Sequence, residues 1–228
     1  MPTPTRERII NAAYGLLREG GREAVSTRAV GAAAGVQAPT IYRTFGDKQG
    51  LLDAVAMHGF SSYLAGKTSL VASDDPVDDL RAGWDLHVGF GVANPACYCL
   101  IYGEPRPGVL SPAAAAAAEI LAAQVHRIAV AGRLRVSESQ AAFMIHAAGC
   151  GTTLSLIALP PDERDPQLSV LAREAVISAV SAHAVWSDGD TAVSSAVALR
   201  AVVPSATVLT PGERALMTEW LDRFTTER

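Results

Sequence analysis

Several features that define common classes of protein are scarce or missing in this sequence of 228 residues. No run of about 18 or more uninterrupted apolar residues occurs, which argues against a membrane span, and residues 1–5 do not resemble a secretory signal. The three cysteines make an odd count, so reduced thiols in a cytoplasmic protein are the simplest interpretation. Neither a glycine-rich phosphate loop nor a Ser/His/Asp set at a recognisable spacing is present, which argues against an enzyme.

The net charge of −4 is distributed unevenly along the chain. Residues 1–60 carry seven Lys/Arg and five Asp/Glu, whereas the rest of the chain carries twelve and eighteen. An acidic protein is a poor general coat for nucleic acid, because its surface repels phosphates. A mildly basic N-terminal part followed by an acidic remainder fits a protein that touches DNA at one end only.

Apolar residues recur at helical spacing along the chain, and no strand pattern competes with them. We predict an all-α fold of about ten helices, with an N-terminal helix-turn-helix head and a C-terminal helical body. The expected domains are a DNA-binding domain at residues 1–50 and a ligand-binding and dimerisation domain at residues 51–228. The predicted helices cover residues 5–19, 26–34, 37–45, 47–66, 76–93, 95–102, 111–131, 137–159 and 167–183, followed by a last pair at about 190–203 and 211–226.

The stretch 25–35 has the signals of a short helix that ends in a tight turn. Ser26 is a good N-cap, and Val25 and Val30 are spaced to pack against each other as a hydrophobic staple. Gly35 can adopt the left-handed conformation that terminates a helix. A second helix, which tolerates Pro39 in its first turn, begins directly afterwards.

The second helix separates an apolar face from a polar one. Ile41 and Phe45, four residues apart, are expected to be buried. Asp47 caps the next helix, and Lys48 occupies its first position. The outward residues carry amide, hydroxyl, phenol and guanidinium groups, which hydrogen-bond base edges and phosphates. This pattern predicts a helix-turn-helix with its recognition helix at about residues 38–44.

The run STRAVGAAAGVQAPTIYRTFGDKQGLL resembles the DNA-binding signature of the TetR (tetracycline-repressor-like) transcriptional regulators of bacteria. The match covers roughly the first quarter of the chain, and Gln37 departs from it because the family usually has a Ser cap there. The resemblance implies a ligand-responsive cytoplasmic regulator, most simply a repressor, that binds double-stranded DNA without a cofactor. The expected DNA-binding residues are Thr27, Arg28, Gln37, Ala38, Pro39, Thr40, Tyr42, Arg43, Thr44 and Lys48. Arg6 and Arg8 could also reach phosphate, although solvated side chains are at least as good an interpretation.

One recognition helix reads only a few base pairs, so specific binding requires two, in a homodimer on a palindromic operator. The helix at residues 137–159 is rich in small residues, and residues 167–183 carry an apolar stripe from Leu168 to Val180. The family's late helices form its dimer interface, so we expect these two helices to pack against a second copy. The alternative is that both stripes belong to the internal core.

The second part of the chain contains aromatic and amphipathic groups among Ala, Leu and Val. Each of them, taken singly, is more often a core residue than a ligand contact. The family resemblance favours a pocket for a small-molecule effector, between the helices at 76–93, 95–102, 111–131 and 137–158. The candidate wall residues are Trp84, His87, Phe90, Tyr98, Tyr102, His126, Phe143 and His146.

A metal- or thiol-responsive regulator is the alternative function, and an enzyme that uses the body pocket is a more distant one. His146 and Cys150 share a helix face, and Cys97 and Cys99 lie elsewhere, so the four could form a soft metal site. The stronger interpretation is that the thiols are simply buried, since Cys97 and Cys99 point about 200° apart on a helix. We therefore predict no metal ligand and no catalytic residue.

Overall fold

The computed structural model describes residues 4–68, 73–182 and 191–226. Within these ranges the chain is helical and contains no strand, only two isolated β-bridges, which confirms the predicted all-α fold. The helices are α1 Thr5–Ala24, α2 Thr27–Ala34, α3 Ala38–Phe45, α4 Lys48–Thr68, α5 Pro76–Ala93, α6 Pro95–Tyr102, α7 Pro112–Val130, α8 Glu138–Ala158, α9 Pro166–Val180, α10 Thr191–Val202 and α11 Pro211–Thr226.

The helix boundaries follow local signals that the sequence carries. Ala114 donates its backbone N–H to Ser111 Oγ over 3.2 Å, so Ser111 caps α7. At the start of α8, Gln140 N–H donates to Ser137 Oγ and Ser137 N–H donates to Gln140 Oε1, at 3.3 and 3.1 Å. This reciprocal pair is a capping box.

The first helix runs further than predicted, but its regular part ends where the sequence indicates. Gly20 and Gly21 leave the helical conformation, and Gly21 has a φ of 66°. A residue with a side chain is strained at such an angle, whereas glycine adopts it readily. One more short turn then leads to Ala24, directly before the helix-turn-helix.

The chain folds into two compact units. The first comprises residues 1–69, 86–117 and 153–160, and the second comprises residues 70–85, 118–152 and 161–228. The core of the first unit contains buried residues of the three N-terminal helices together with residues of α4, α6 and the start of α7. The helix-turn-helix is therefore continuous with α6 and α7 through one apolar core. The boundary that we predict at residue 50 falls within α4 and remains a prediction.

The second unit is held by polar as well as apolar contacts. Trp84 Nε1–H donates to Ser169 Oγ over 3.0 Å in a buried setting. Arg81 forms an ion pair with Glu174 of α9 at 2.9 Å. Helices α10 and α11 pack together around a small cluster of Ala196, Val203 and Leu221. These last helices confirm the all-helical character of the described C-terminal residues.

By length and composition alone, α7 and α8 are apolar enough to cross a membrane. Such a result is weak evidence, because the apolar helices of soluble proteins meet the same criterion. The unusual feature of α8 is its setting, since only 28% of its most apolar window is buried within the chain.

Candidate nucleic-acid interface

The first helix of the motif and its turn have the predicted geometry. Ala29 N–H donates to Ser26 Oγ over 3.1 Å, which satisfies one of the unpaired donors at the start of α2. Val25 and Val30 are both fully buried, as the hydrophobic staple requires. Gly35 has a φ of 64° and ends the helix in the left-handed conformation.

Two close approaches between helices depend on glycines that the sequence analysis did not single out. A Cβ atom on Gly31 would lie 2.9 Å from the carbonyl oxygen of Val36, in the turn between α2 and α3. A Cβ atom on Gly50 would lie 2.1 Å from the carbonyl oxygen of Phe45, at the end of α3. Both glycines interrupt otherwise good helical segments, which is the one signal in the sequence that points to close packing.

The recognition helix α3 buries one side and exposes the other. Ile41 is fully buried, as predicted, whereas Phe45, also expected to be buried, is only half-buried because it is the last residue of the helix. Gln37 makes no capping hydrogen bond through its side chain, so the start of α3 lacks the usual side-chain cap. The predicted DNA-contacting residues of this helix divide into exposed Gln37, Pro39, Tyr42 and Arg43, and half-buried Ala38, Thr40 and Thr44.

One of the predicted base-contacting groups already uses its proton within the helix. The Thr44 hydroxyl donates to the backbone oxygen of Thr40 over 2.7 Å. A hydroxyl has one proton and two lone pairs, so Thr44 in this rotamer can only accept a hydrogen bond from DNA.

Cations without carboxylate partners flank the recognition helix. Lys48 is exposed at the first position of α4, whose start is capped by a 2.7 Å bond from Gly50 N–H to Asp47 Oδ1. Arg43 on α3 and Arg28 at the start of α2 are exposed, and neither forms an ion pair within the described residues. Thr27, beside Arg28, is half-buried. The positive charges at this surface remain available for phosphates.

These features define a helix-turn-helix DNA-binding protein, with a polar recognition helix flanked by unpaired cations. Residues 9–55 match the model of the bacterial regulatory proteins of the tetR family. This match agrees with the resemblance that the sequence shows over the same residues, and it supports a DNA-binding transcription regulator.

Solved structures of the same fold include two regulators and one ligand complex. A tetR family transcription regulator from Shewanella sp. PV-4 is 18% identical, with a TM-score of 0.63 over 79% of this chain and 100% of that one. SmeT, the repressor of the Stenotrophomonas maltophilia multidrug efflux pump SmeDEF, is 22% identical, with a TM-score of 0.59 over 83% and 96%. A TetR variant from Acinetobacter baumannii AYE in complex with minocycline is 19% identical, with a TM-score of 0.57 over 75% and 92%. Comparison with the curated proteins gives no match.

Four of the predicted effector residues form one aromatic cluster in the first unit. The rings of Tyr98 and Tyr102 are 4.9 Å apart, and His87 lies 5.4 Å from Tyr98. Phe90 is joined to them through Tyr63 of α4, at 5.2 Å between centroids, and Tyr63 hydroxyl lies 3.3 Å from His87 Nδ1. Tyr63 and Phe60 are members that the sequence analysis missed, because the pocket was expected between four later helices and not at α4.

The histidine of this cluster has a phenol at each ring nitrogen. His87 Nε2 lies 2.7 Å from the hydroxyl of Tyr98, opposite the contact of Nδ1 with Tyr63. A neutral imidazole donates from one nitrogen and accepts at the other, so the two phenols occupy opposite hydrogen-bonding roles. A polar relay of this kind within an apolar core can orient one polar group of a ligand.

The other four predicted wall residues belong to the second unit, and each has a different setting. Trp84 is buried against Ser169, and Phe143 is 72% exposed. His126 is exposed and lies 3.1 Å from a carboxylate oxygen of Glu138. His146 is exposed, with Nε2 at 3.7 Å from Cys150 Sγ. The aromatic cluster contains none of these four, and the full predicted pocket remains a prediction.

The loop between α6 and α7 is tied to the DNA-binding helices by two ion pairs. Arg106 contacts Asp53 of α4 at 3.1 Å, and Asp53 also accepts a 2.9 Å hydrogen bond from Gln49. Glu104 of the same loop pairs with Arg22 near the end of α1. Because α6 carries Tyr98 and Tyr102, this loop links the aromatic cluster to the helices that support the recognition helix.

The predicted dimerisation helices also expose apolar surface. On α9 the predicted stripe separates into two faces, since Val176 and Val180 are buried whereas Leu168, Leu171 and Ala175 are exposed. Leu171 is 66% exposed. On α8, Phe143 lies within an outward face that carries no charged residue between Ser139 and Ala158. The inner half of the α9 stripe is core, and the outer half is exposed.

Proposed function

We propose that this protein is a homodimeric transcriptional repressor that binds a palindromic operator and is released from it by a small-molecule effector. The observation that carries the proposal is the recognition helix, whose exposed face consists of hydrogen-bonding groups beside unpaired cations. The named relatives include a repressor and a drug complex, which supports the finer proposal by analogy. The site of action is the cytoplasm, where bacterial DNA lies.

The first part of the proposal assigns roles at the DNA. Tyr42 and Lys48 bind phosphates, and Arg28 and Thr27 flank them at the start of α2. The side chains that face the major groove are Gln37, Thr40, Arg43 and Thr44, with Ala38 and Pro39 approaching the base edges through their apolar surfaces.

Selection of bound fragments from genomic DNA yields the operator, and the neighbouring genes indicate the class of effector. With that operator, Lys48→Ala should weaken binding to all sequences alike and lower the salt slope by about one unit. Arg43→Ala should lose about 1–3 kcal/mol, and only at particular base pairs. Wild-type affinity in Arg43→Ala would contradict this orientation of the recognition helix.

The second part of the proposal concerns assembly. Helices α8 and α9 expose large apolar side chains, among them Phe143, Leu168 and Leu171, and burial of such side chains between two copies is favourable. Ala175 lies on the outer face of α9, so Ala175→Arg should place a charge in the interface and yield monomers with lower operator affinity. The matched control is Ala123→Arg, which adds the same charge at an exposed position of α7 in the same unit. A wild-type protein that is monomeric by light scattering at micromolar concentration would contradict the dimer.

The third part of the proposal concerns the effector. A ligand that binds beside His87, Tyr98 and Tyr102 would displace α6 and the loop that Arg106 ties to Asp53, and so alter the position of the head. By reciprocal linkage, the effector lowers DNA affinity by the same factor by which DNA lowers effector affinity, typically about 5–150-fold.

A small-molecule screen by thermal shift, followed by operator release, tests this coupling. Hits should stabilise the protein and displace the operator, and Phe90→Ala should weaken both effects together. Phe143→Ala is the control variant and should leave both effects unchanged. Phe143 was predicted to line the pocket, but it is exposed in the second unit and does not belong to the aromatic cluster. A tight ligand that leaves operator affinity unchanged would contradict an inducer role for that ligand.

A metal- or thiol-responsive regulator is the alternative, and one observation favours it. Cys150 Sγ lies 3.7 Å from His146 Nε2, close to the spacing of two ligands on one tetrahedral metal ion. The described residues contain no group of three or more potential metal ligands, so within them this pair does not form a complete metal site. Metal content and thiol titration of the purified protein distinguish this alternative from an organic effector.

A further inference from the structure

The N-terminal end of α1 continues the buried face of that helix. Ile9, Ile10 and Ala13 are buried, and Arg6 precedes them by three, four and seven residues, which places it on the same side. Arg8 is about 200° from Arg6 around the helix and lies on the opposite side. The two arginines are therefore not equivalent, although both are exposed.

A specific contact holds Arg6 at the end of the recognition helix. Its guanidinium carbon lies 5.5 Å from the centroid of the Phe45 ring, within the range of a cation–π interaction. Phe45 is the last residue of α3 and packs against the core of the first unit. Within the described residues, no carboxylate forms an ion pair with Arg6, so its charge remains unpaired.

The position of Phe45 relates Arg6 to the predicted phosphate-binding groups. Tyr42 precedes Phe45 by three residues, and Lys48 follows it by three, at the start of α4. The N-terminus of α4 adds the partial positive charge of a helix dipole. An exposed cation that rests on this ring is oriented before DNA binds, which reduces the entropy lost when it contacts a phosphate.

We propose that Arg6 is a DNA phosphate-binding residue, positioned by its stacking on Phe45, so that the DNA interface extends from the helix-turn-helix to the start of α1. This inference rests on the proposed DNA-binding function. The guanidinium group donates hydrogen bonds to phosphate oxygens without regard to base sequence. Arg8, which lacks the ring contact and points away, has no such role.

The test compares Arg6→Gln with Arg8→Gln, two variants with the same change in net charge. Each is titrated with a duplex that the wild-type protein selects from a random-sequence library, and with an unselected duplex, over a series of salt concentrations. Arg6→Gln should lower the salt slope by about 0.9 and weaken binding to both duplexes by roughly tenfold. Arg8→Gln should match the wild type in slope and should differ only slightly in affinity.

Two further variants separate charge from position. Arg6→Lys retains the cation and should restore most of the salt slope. Phe45→Leu retains an apolar side chain but removes the ring, and we expect it to lower the slope in part. In the Arg6→Gln/Phe45→Leu double variant, the slope should be no lower than in Arg6→Gln alone, since the ring acts on the slope through Arg6. Thermal unfolding of each variant separates these effects from a loss of folded protein.

The possible results are distinguishable. Equal slopes for Arg6→Gln and the wild type would overturn the inference and leave the proposed function intact. Equal reductions in Arg6→Gln and Arg8→Gln would also overturn it, because general electrostatic attraction would then be sufficient. If the wild-type protein selected no duplex at all, the proposed DNA-binding function would fail first.

Discussion

Helices α3 and α4 approach each other closely at Gly50, so we predict that a side chain at this position lowers both the stability and the operator affinity of the protein. A Cβ atom at position 50 would lie 2.1 Å from the Phe45 carbonyl oxygen and 3.6 Å from Asp47 Oδ1. To relieve the contact with the Phe45 carbonyl oxygen, the backbone of either α3 or α4 must shift by about 1 Å, because closely packed helices leave little free space. The Gly50→Ala variant must therefore change the turn between the recognition helix and α4.

Two opposing effects determine the stability of Gly50→Ala. Overpacking costs about 1–3 kcal/mol, whereas replacement of glycine by alanine within a helix contributes about 0.5–1 kcal/mol of stability. The expected net result is a loss on the order of 1–2 kcal/mol. Operator affinity should fall as well, since the turn sets the position of Lys48 relative to α3.

Gly15→Ala is the matched control, because nothing lies within 4 Å of a Cβ atom built on Gly15 in α1. This variant should be more stable than the wild type by about 0.5–1 kcal/mol. Guanidinium unfolding, followed by circular dichroism, measures both changes, and operator titration measures the effect on binding. If Gly50→Ala were as stable as Gly15→Ala and bound the operator normally, the inferred close packing would be wrong.

Two further predictions concern ionisable groups. The hydrogen bond from Arg81 lowers the pKa of Glu174 in the folded protein. The stability that this ion pair contributes is therefore complete above the pKa of Glu174 in the unfolded chain and is lost as pH falls through its lower pKa in the folded protein. Acid unfolding between about pH 5 and 3 should depend less on pH in Glu174→Gln. Burial raises the pKa of Cys97 to about 12, so this thiol should resist alkylation in the native protein. Cys99 and Cys150 are both half-buried, but burial raises the pKa of the Cys99 thiol, so Cys150 should react first. The persistence of the fast phase in Cys150→Ser would contradict that order.

The sequence alone was sufficient for the helix-turn-helix because the motif depends on local interactions. The cap at Ser26 and the turn at Gly35 each involve residues within about five positions of one another. The period of 3.6 residues also identified Ile41 and Phe45 as the inner side of α3. The caps at Ser111 and Ser137 are local in the same way, and they set the starts of α7 and α8.

The same period failed to separate the buried part of the α9 stripe from its exposed part. Leu168, Leu171, Val176 and Val180 are all apolar, and the spacing places them within one broad stripe. The structure buries Val176 and Val180 and exposes the two leucines. Sequence periodicity identifies an apolar face but does not reveal which part of it is covered by the chain's own neighbours.

Local sequence thus determined that this protein has a DNA-reading head and an all-helical body, because caps, turns and helix faces are encoded by residues close together in the chain. Tertiary structure alone decided which distant side chains meet. It brought Tyr63 of α4 to His87 of α5, Arg106 to Asp53, and Arg6 to Phe45. These pairs are separated by many residues, and their contacts follow from the packing of whole helices, which no short stretch of sequence specifies.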